Sequence, residues 1–223
     1  MVSARFLRSF SSLAAPVKVL MRRFPRLNAA VWNVQYRLGM WHYIDSEDGT
    51  QVLMLVERYF RNPSILDLGC GTSINLPLTA GKYRHYHGVD ISTNAVERAR
   101  ALARSDASFE VADILTYDTG ERYDAILLRE VIYYISAQKV AGFLRLVSGL
   151  LAWQGKIFIQ IWDTGSFAEF VDVIRNSGFR VLEEQITRYN GGPEGIVIVL
   201  GTPESEPPAH GNSSLGAAST PWS

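Results

Sequence analysis

The chain reads as an α/β protein built on a mostly parallel sheet, with helices on both faces and one antiparallel strand at its end. Three observations predict this. From Pro63 onward, strand-like apolar runs alternate with helix-compatible segments, the pattern of parallel strands joined by crossovers. Runs such as Ala125-Ile126-Leu127-Leu128 and Ile157-Phe158-Ile159 are continuously apolar, as strands buried on both faces must be. The last two strand candidates are joined by Tyr189-Asn190-Gly191-Gly192-Pro193-Glu194 with no helix between them, which makes a hairpin and reverses one strand.

In chain order, residues 1–26 form a basic arm that Pro25 separates from a helix over about 27–38, which Gly39 ends. Met40-Trp41-His42-Tyr43-Ile44 is an aromatic link. Ser46, with Glu47 and Asp48 behind it, reads as the cap of a helix reaching Phe60, with Val52, Leu55, Val56 and Tyr59 on one face. Residues 27–60 are thus a helical lid or cap segment, and 61–202 are the main domain. Strands are expected near 64–69, 85–90, 108–112, 123–129, 155–162, 179–187 and 195–201. Helices are expected near 74–80, 93–104, 137–152 and 165–177, with Ser92, Ser136 and Thr164 as N-caps of the last three. After Thr202 the Pro, Gly, Ser and Ala content predicts a disordered tail over 203–223.

At 223 residues the chain suits one such domain with appendages. Net formal charge is zero, and the core has no basic face that would suit a nucleic-acid partner. The single cysteine, Cys70, excludes an intramolecular disulfide and fits a reducing, cytoplasmic setting. The neutral total hides an asymmetry: Arg5, Arg8, Lys18, Arg22, Arg23, Arg26 and Arg37 precede the first acid, Asp45. Three readings of residues 1–26 follow. The arm is a solvated helix covering the domain, a basic amphipathic helix lying on anionic lipid, or an Arg- and Ser-rich organellar transit peptide.

The stretch Ser64–Thr72, SILDLGCGT, carries the most chemistry. An apolar strand runs into Gly69-Cys70-Gly71, where the absence of Cβ atoms lets backbone approach a ligand. Asp67 stands just before the turn, where a phosphate-cradling loop has no use for a carboxylate. In open α/β sheets ligands bind at the carboxyl ends of the strands, which singles out Asp67 and Gly69, Asp90 and Ile91, Asp113 and Ile114, Arg129 and Glu130, and Trp162 and Asp163. Asp90 lies about 20 residues past the turn, a spacing that serves ribose hydroxyls.

These segments carry a family resemblance. ILDLGCGT closely resembles the first motif of class I S-adenosylmethionine (SAM)-dependent methyltransferases. HGVDIS, VADILTY, YDAILLREVIYYI and GKIFIQIWD follow in the family's order. The likeness spans Arg61 to Thr202 and departs at Ser73, where the family often has a third glycine. It implies a Rossmann-like, seven-stranded sheet closed by a reversed last strand, with SAM as cofactor. Asp67, Gly69, Cys70 and Gly71 would face the methionine part, Asp90 both ribose hydroxyls, and Asp113 the adenine amine, with Ile91 and Ile114 sandwiching the ring. Arg129 would offer its carbonyl to the donor's amine or its side chain to an acidic substrate. The implied activity is methyl transfer to an oxygen or nitrogen of a small molecule.

Glu130 and Tyr133 are the catalytic candidates, with Glu130 either a base or a structural acid. One of Tyr133 and Tyr134 should face the pocket while the other packs. Tyr36, Trp41, His42 and Tyr134 are candidates for the substrate side and the lid, where aromatics can stack on the cofactor or surround its sulfonium. Asp163 is read as a helix cap with Thr164, and Cys70 as a small residue filling a tight turn. His85 and His87 alternate on one strand without an apparent third ligand, so no metal is expected. Two rivals remain. An NAD-dependent oxidoreductase is disfavoured because the third position of its glycine fingerprint is Ile74. A non-catalytic SAM-binding scaffold, held to a membrane or partner by the basic arm, would keep the same three aspartates.

Overall fold

A computed structural model describes residues 25–40, 50–74, 76, 81–188 and 192–202. Most of the basic arm, Trp41, His42, the Ser46 cap, most of the expected 74–80 helix, the tip of the terminal hairpin and the tail lie outside the described residues.

Two helices lead in: α1 (Pro25–Arg37) and α2 (Thr50–Tyr59). Pro25 opens α1, where its missing N–H costs nothing. Gly39, at φ 68°, closes it, with Gly39 N donating to Tyr36 O and Met40 N to Gln35 O, a Schellman ending. The alternating region follows as β1 (Ser64–Leu68), β2 (His85–Asp90), α3 (Thr93–Ala101), β3 (Ala107–Val111), β4 (Tyr123–Arg129), a 3-10 turn (Ile132–Tyr134), α4 (Ala137–Ser148), β5 (Leu151–Ile161), α5 (Ala168–Arg175), β6 (Arg180–Arg188) and β7 (Glu194–Gly201). The strands form one sheet in the order β3-β2-β1-β4-β5-β7-β6. All pairs are parallel except those of β7, which runs against both β5 and β6.

The continuous apolar runs are explained by a core on each face. Along β4, Ala125 and Leu127 point to one side with Val52, Leu55 and Val56 of α2 and Val96 of α3. Ile126 and Leu128 point to the other, with Val140, Phe143 and Leu144 of α4 and Val171 and Ile174 of α5. The strand order turns back at β1, which pairs with both β2 and β4. The crevice at the carboxyl ends of these strands is therefore where a ligand site belongs.

Three expectations are corrected. The helix expected to reach residue 152 stops at Ser148 with Gly149 as its cap, and β5 begins at Leu151, paired with Tyr123. An irregularity in register, with Gln154 at φ 61°, loops out the apolar residues that continued the helical pattern, and leaves Trp153 half-exposed. Thr164 does not cap α5, because its N–H and hydroxyl are both donated to Glu194 O at the start of β7. The helix therefore begins three residues later than expected, with Phe167 in the N-cap position. Ser136 occupies an N-cap position without a side-chain bond, whereas Ser92 accepts from Ala95 N as expected.

Candidate donor and acceptor site

The turn after β1 has three left-handed residues: Gly69 at φ 81°, Gly71 at φ 55° and Ser73 at φ 51°. A Cβ on Gly69 would stand 2.7 Å from Val131 Cγ2, and one on Gly71 2.8 Å from the Tyr36 hydroxyl. A side chain at Gly69 would collide with Val131, and one at Gly71 would hold a strained positive φ and push on the Tyr36 hydroxyl. Gly69 N and Cys70 N donate to Val89 O, which ties the turn to β2. Cys70 is buried, and burial pushes its thiol well above the usual range. It fills the turn, as expected, and is no thiolate nucleophile.

Asp90 closes β2 with its carboxylate fixed from two sides: Gly71 N donates to Oδ2 at 2.9 Å and Ser92 N to Oδ1 at 2.8 Å. Burial raises its pKa to about 6, against the lowering effect of those N–H groups. The neighbouring Ala112 N donates to Asp90 O and brings Asp113 alongside. Asp113 is half-buried and caps its own turn through Leu115 N. Ile91 is half-buried, and Ile114 packs against the core on the α4 side.

Asp67 is fully buried. Its Oδ2 accepts from the Tyr86 hydroxyl at 2.7 Å and from Arg129 Nε at 3.3 Å, across both neighbouring strands. Burial alone would lower the Arg129 pKa, but Asp67 raises it overall, so the guanidinium stays charged. Burial and Asp67 together push the Tyr86 phenol well up and keep it a donor. The Ser73 hydroxyl lies 2.9 Å from that phenol. Ser73 is thus the end of a string running Ser73–Tyr86–Asp67–Arg129. The structure places Arg129 Nε on this internal acid, and the acidic-substrate alternative loses that nitrogen. Asp67 Oδ1 finds no hydrogen-bond partner among the described residues.

The far side of the site is aromatic. Glu130, at φ 57°, leaves β4 in a left-handed conformation. Its Oε2 accepts from the Tyr133 hydroxyl at 2.8 Å and from Trp162 N at 3.1 Å. The side chain therefore braces the ends of β4 and β5, which favours the structural alternative over the base. Tyr133 stacks on Phe167 at 4.2 Å, and Tyr134 meets the edge of Trp32 at 4.9 Å. The two tyrosine rings are 5.0 Å apart, and Trp32 lies 6.3 Å from Tyr36. Of the pair, Tyr133 packs on Phe167 and the core while Tyr134 meets Trp32 of α1.

Asp163 accepts from Ser166 N and Oγ and holds the turn before α5, a structural duty. His85 and His87 share the Ser108 hydroxyl at 2.8 and 2.6 Å. Among the described residues no cluster of three metal-ligating side chains occurs. Sequence reasoning missed Phe167 and Asn33. Phe167 lies far along the chain and carried no motif. Asn33 showed only as a polar residue inside a helix.

The residues present fit SAM on this structure's own terms. The buried Asp67 Oδ1, without a hydrogen-bond partner among the described residues, can accept from one further donor such as an ammonium, and the glycine turn and the anchored carboxylate of Asp90 lie beside it. Fold and site together define a class I SAM-dependent methyltransferase. The chain belongs to the methyltransferase domain family, whose model matches residues 40–190. It is 27% identical over 160 residues to nodulation protein S of Bradyrhizobium diazoefficiens, covering 67% of this chain and 77% of that protein. To the ubiquinone biosynthesis O-methyltransferase of Bartonella quintana it is 28% identical over 156 residues, covering 62% of this chain and 61% of that one. Among solved structures, the N-methyltransferase NodS from Bradyrhizobium japonicum WM9 in complex with S-adenosylhomocysteine shares the fold. Its TM-score is 0.61 at 19% identity, over 71% of this chain and 90% of that one.

Proposed function

We propose that the acceptor is a small, planar, nitrogen-bearing ring compound that stacks on the aromatic string Trp32–Tyr134–Tyr133–Phe167. The observation that carries this reading is the string itself, joined to the glycine turn by α1, which bears both Trp32 and Tyr36. Flat aromatic faces suit a planar ring and also stabilise a neighbouring cation. Glu130, the carboxylate beside the string, is already braced by Tyr133 and Trp162. A ring amine that is neutral at neutral pH needs no strong base, whereas a nucleophile arriving protonated does. Relatives of both N- and O-methylating kinds match the chain, so oxygen is the competing outcome.

When bound, SAM supplies a sulfonium-activated methyl group. The protein's part is positioning, which suits an in-line displacement whose rate depends on alignment. Asp67, locked by Tyr86 and Arg129, presents Oδ1 to the donor's ammonium. Asp90, anchored by Gly71 and Ser92, takes the ribose hydroxyls, and Asp113 takes the adenine amine. The aromatic string orients the acceptor and excludes water. Incubation with SAM and matched panels of aromatic ring amines and phenols tests the reading. Methylated amines with untouched phenols are expected; methylation of phenols alone would overturn the nitrogen assignment.

Peripheral attachment of a cytoplasmic enzyme through its acid-free basic arm is supported by charge alone. Co-sedimentation of the full chain with anionic liposomes, compared with a chain beginning at Ala30, tests it, and equal pelleting would remove the idea.

A further inference from the structure

Asn33 ties helix α1 to the start of α3 through its carboxamide oxygen. Asn33 Oδ1 accepts from Ser92 Oγ at 2.8 Å, from Asn94 N at 3.1 Å and from Asn94 Nδ2 at 3.3 Å, and Asn33 O accepts from Asn94 Nδ2 at 3.1 Å. Ser92 is also the N-cap of α3, accepting from Ala95 N, and its own N–H holds Asp90 Oδ1. One serine therefore joins the acid at the end of β2 to the lid helix. The same helix places Trp32 against Tyr134 and the Tyr36 hydroxyl over Gly71. Displacing Asn33 would release both contacts together, because a helix moves as a rigid element.

We infer that Asn33 is a positioning residue that couples occupation of the donor site at Asp90 to completion of the aromatic acceptor wall. The inference rests on the donor assignment above. Ligand at Asp90 fixes the Asp90–Ser92 segment, Ser92 fixes Asn33, and α1 then holds Trp32 and Tyr36 in place. Coupling is reciprocal, so a settled α1 also strengthens donor binding. Among the described residues, the hydrogen bonds of the Asn33 side chain use its oxygen as an acceptor. Asn33→Asp keeps that chemistry, and a carboxylate at the N-terminus of α3 is favoured by the helix dipole. Asn33→Ala removes it.

The test measures hydrogen exchange across residues 25–40 of the full-length protein, with and without S-adenosylhomocysteine, beside calorimetric titration of the same ligand. In the wild type and Asn33→Asp, the ligand should slow exchange in α1 by about tenfold, within the usual range of site-to-site coupling. In Asn33→Ala it should still bind, several-fold more weakly, while exchange in α1 stays unchanged by the ligand. Equal ligand-dependent protection in Asn33→Ala and the wild type would overturn the inference, as would loss of protection in Asn33→Asp, which decides the matter if the alanine variant does not fold. Failure of the wild type to bind the ligand at all would instead sink the donor assignment.

Discussion

Ser73 stands in a left-handed conformation at φ 51° while its hydroxyl reaches the buried Tyr86 phenol. These two facts oppose each other in energy. Ser73→Ala keeps the backbone cost and loses the hydrogen bond, and should destabilise by about 1–2 kcal/mol. Ser73→Gly loses the same bond but relieves a backbone cost of about 1 kcal/mol, and should be nearly neutral. Equal melting temperatures for the two variants would contradict this account.

Asp90 gives a pH-dependent prediction. Its pKa is raised to about 6 from 3.8, so the folded protein holds that proton more tightly than the unfolded chain. Its contribution to stability is full below the unfolded value and lost as pH rises through about 6. Donor binding runs the other way, because the hydroxyls need the carboxylate. The dissociation constant for SAM should be flat well above pH 6 and rise toward tenfold per pH unit below it. A constant affinity from well above to well below pH 6 would refute the ribose assignment.

The three aspartates were legible because each lies at a strand end with its own local pattern. The Asp67–Arg129 pair was not legible, because it depends on β1 lying beside β4, residues distant in sequence. Asn33 stayed hidden for the same reason, its partners Ser92 and Asn94 lying far along the chain.

Elements whose boundaries are set by their own sequence were predicted well. β2 and β4 match their expected limits, β4 because its apolar run Ala125–Leu128 is closed by Arg129 and β2 because it ends at the acid Asp90, and α1 ends at a glycine that adopts the required positive φ. Boundaries set by a neighbour were misplaced. α4 gives way to β5 earlier than its helical pattern suggests because Leu151 pairs with Tyr123, and α5 starts late because Thr164 is held by β7. β7 also carries a tight contact that tests this part of the fold. A Cβ on Gly195 would lie 2.6 Å from Thr187 Oγ1 and 2.7 Å from Ile161 O. Gly195→Ala should therefore lower stability by about 1–3 kcal/mol through overpacking, read as a lower denaturant midpoint with an unchanged slope. An unchanged midpoint would mean the hairpin is looser than described.

At the scale of the molecule, a reversal of strand order at β1 gathers the glycine turn, Asp90 and the Arg129–Glu130 corner at one end of the sheet. The donor half was readable because it is built from short motifs on consecutive strands. The proposed acceptor half draws on α1, the 3-10 turn and the segment before α5, which no motif connects. None of the described helices is long and apolar enough to cross a membrane.

The central claim is that this sheet end binds SAM through Asp90. Calorimetric titration of the wild type and Asp90→Ala with S-adenosylhomocysteine, with NADH as control, tests it most directly. One-to-one binding by the wild type, weakened by several-fold or more in the variant, with no heat from NADH, is the predicted result. Absence of binding by the wild type, or equal affinity in the two proteins, would contradict it.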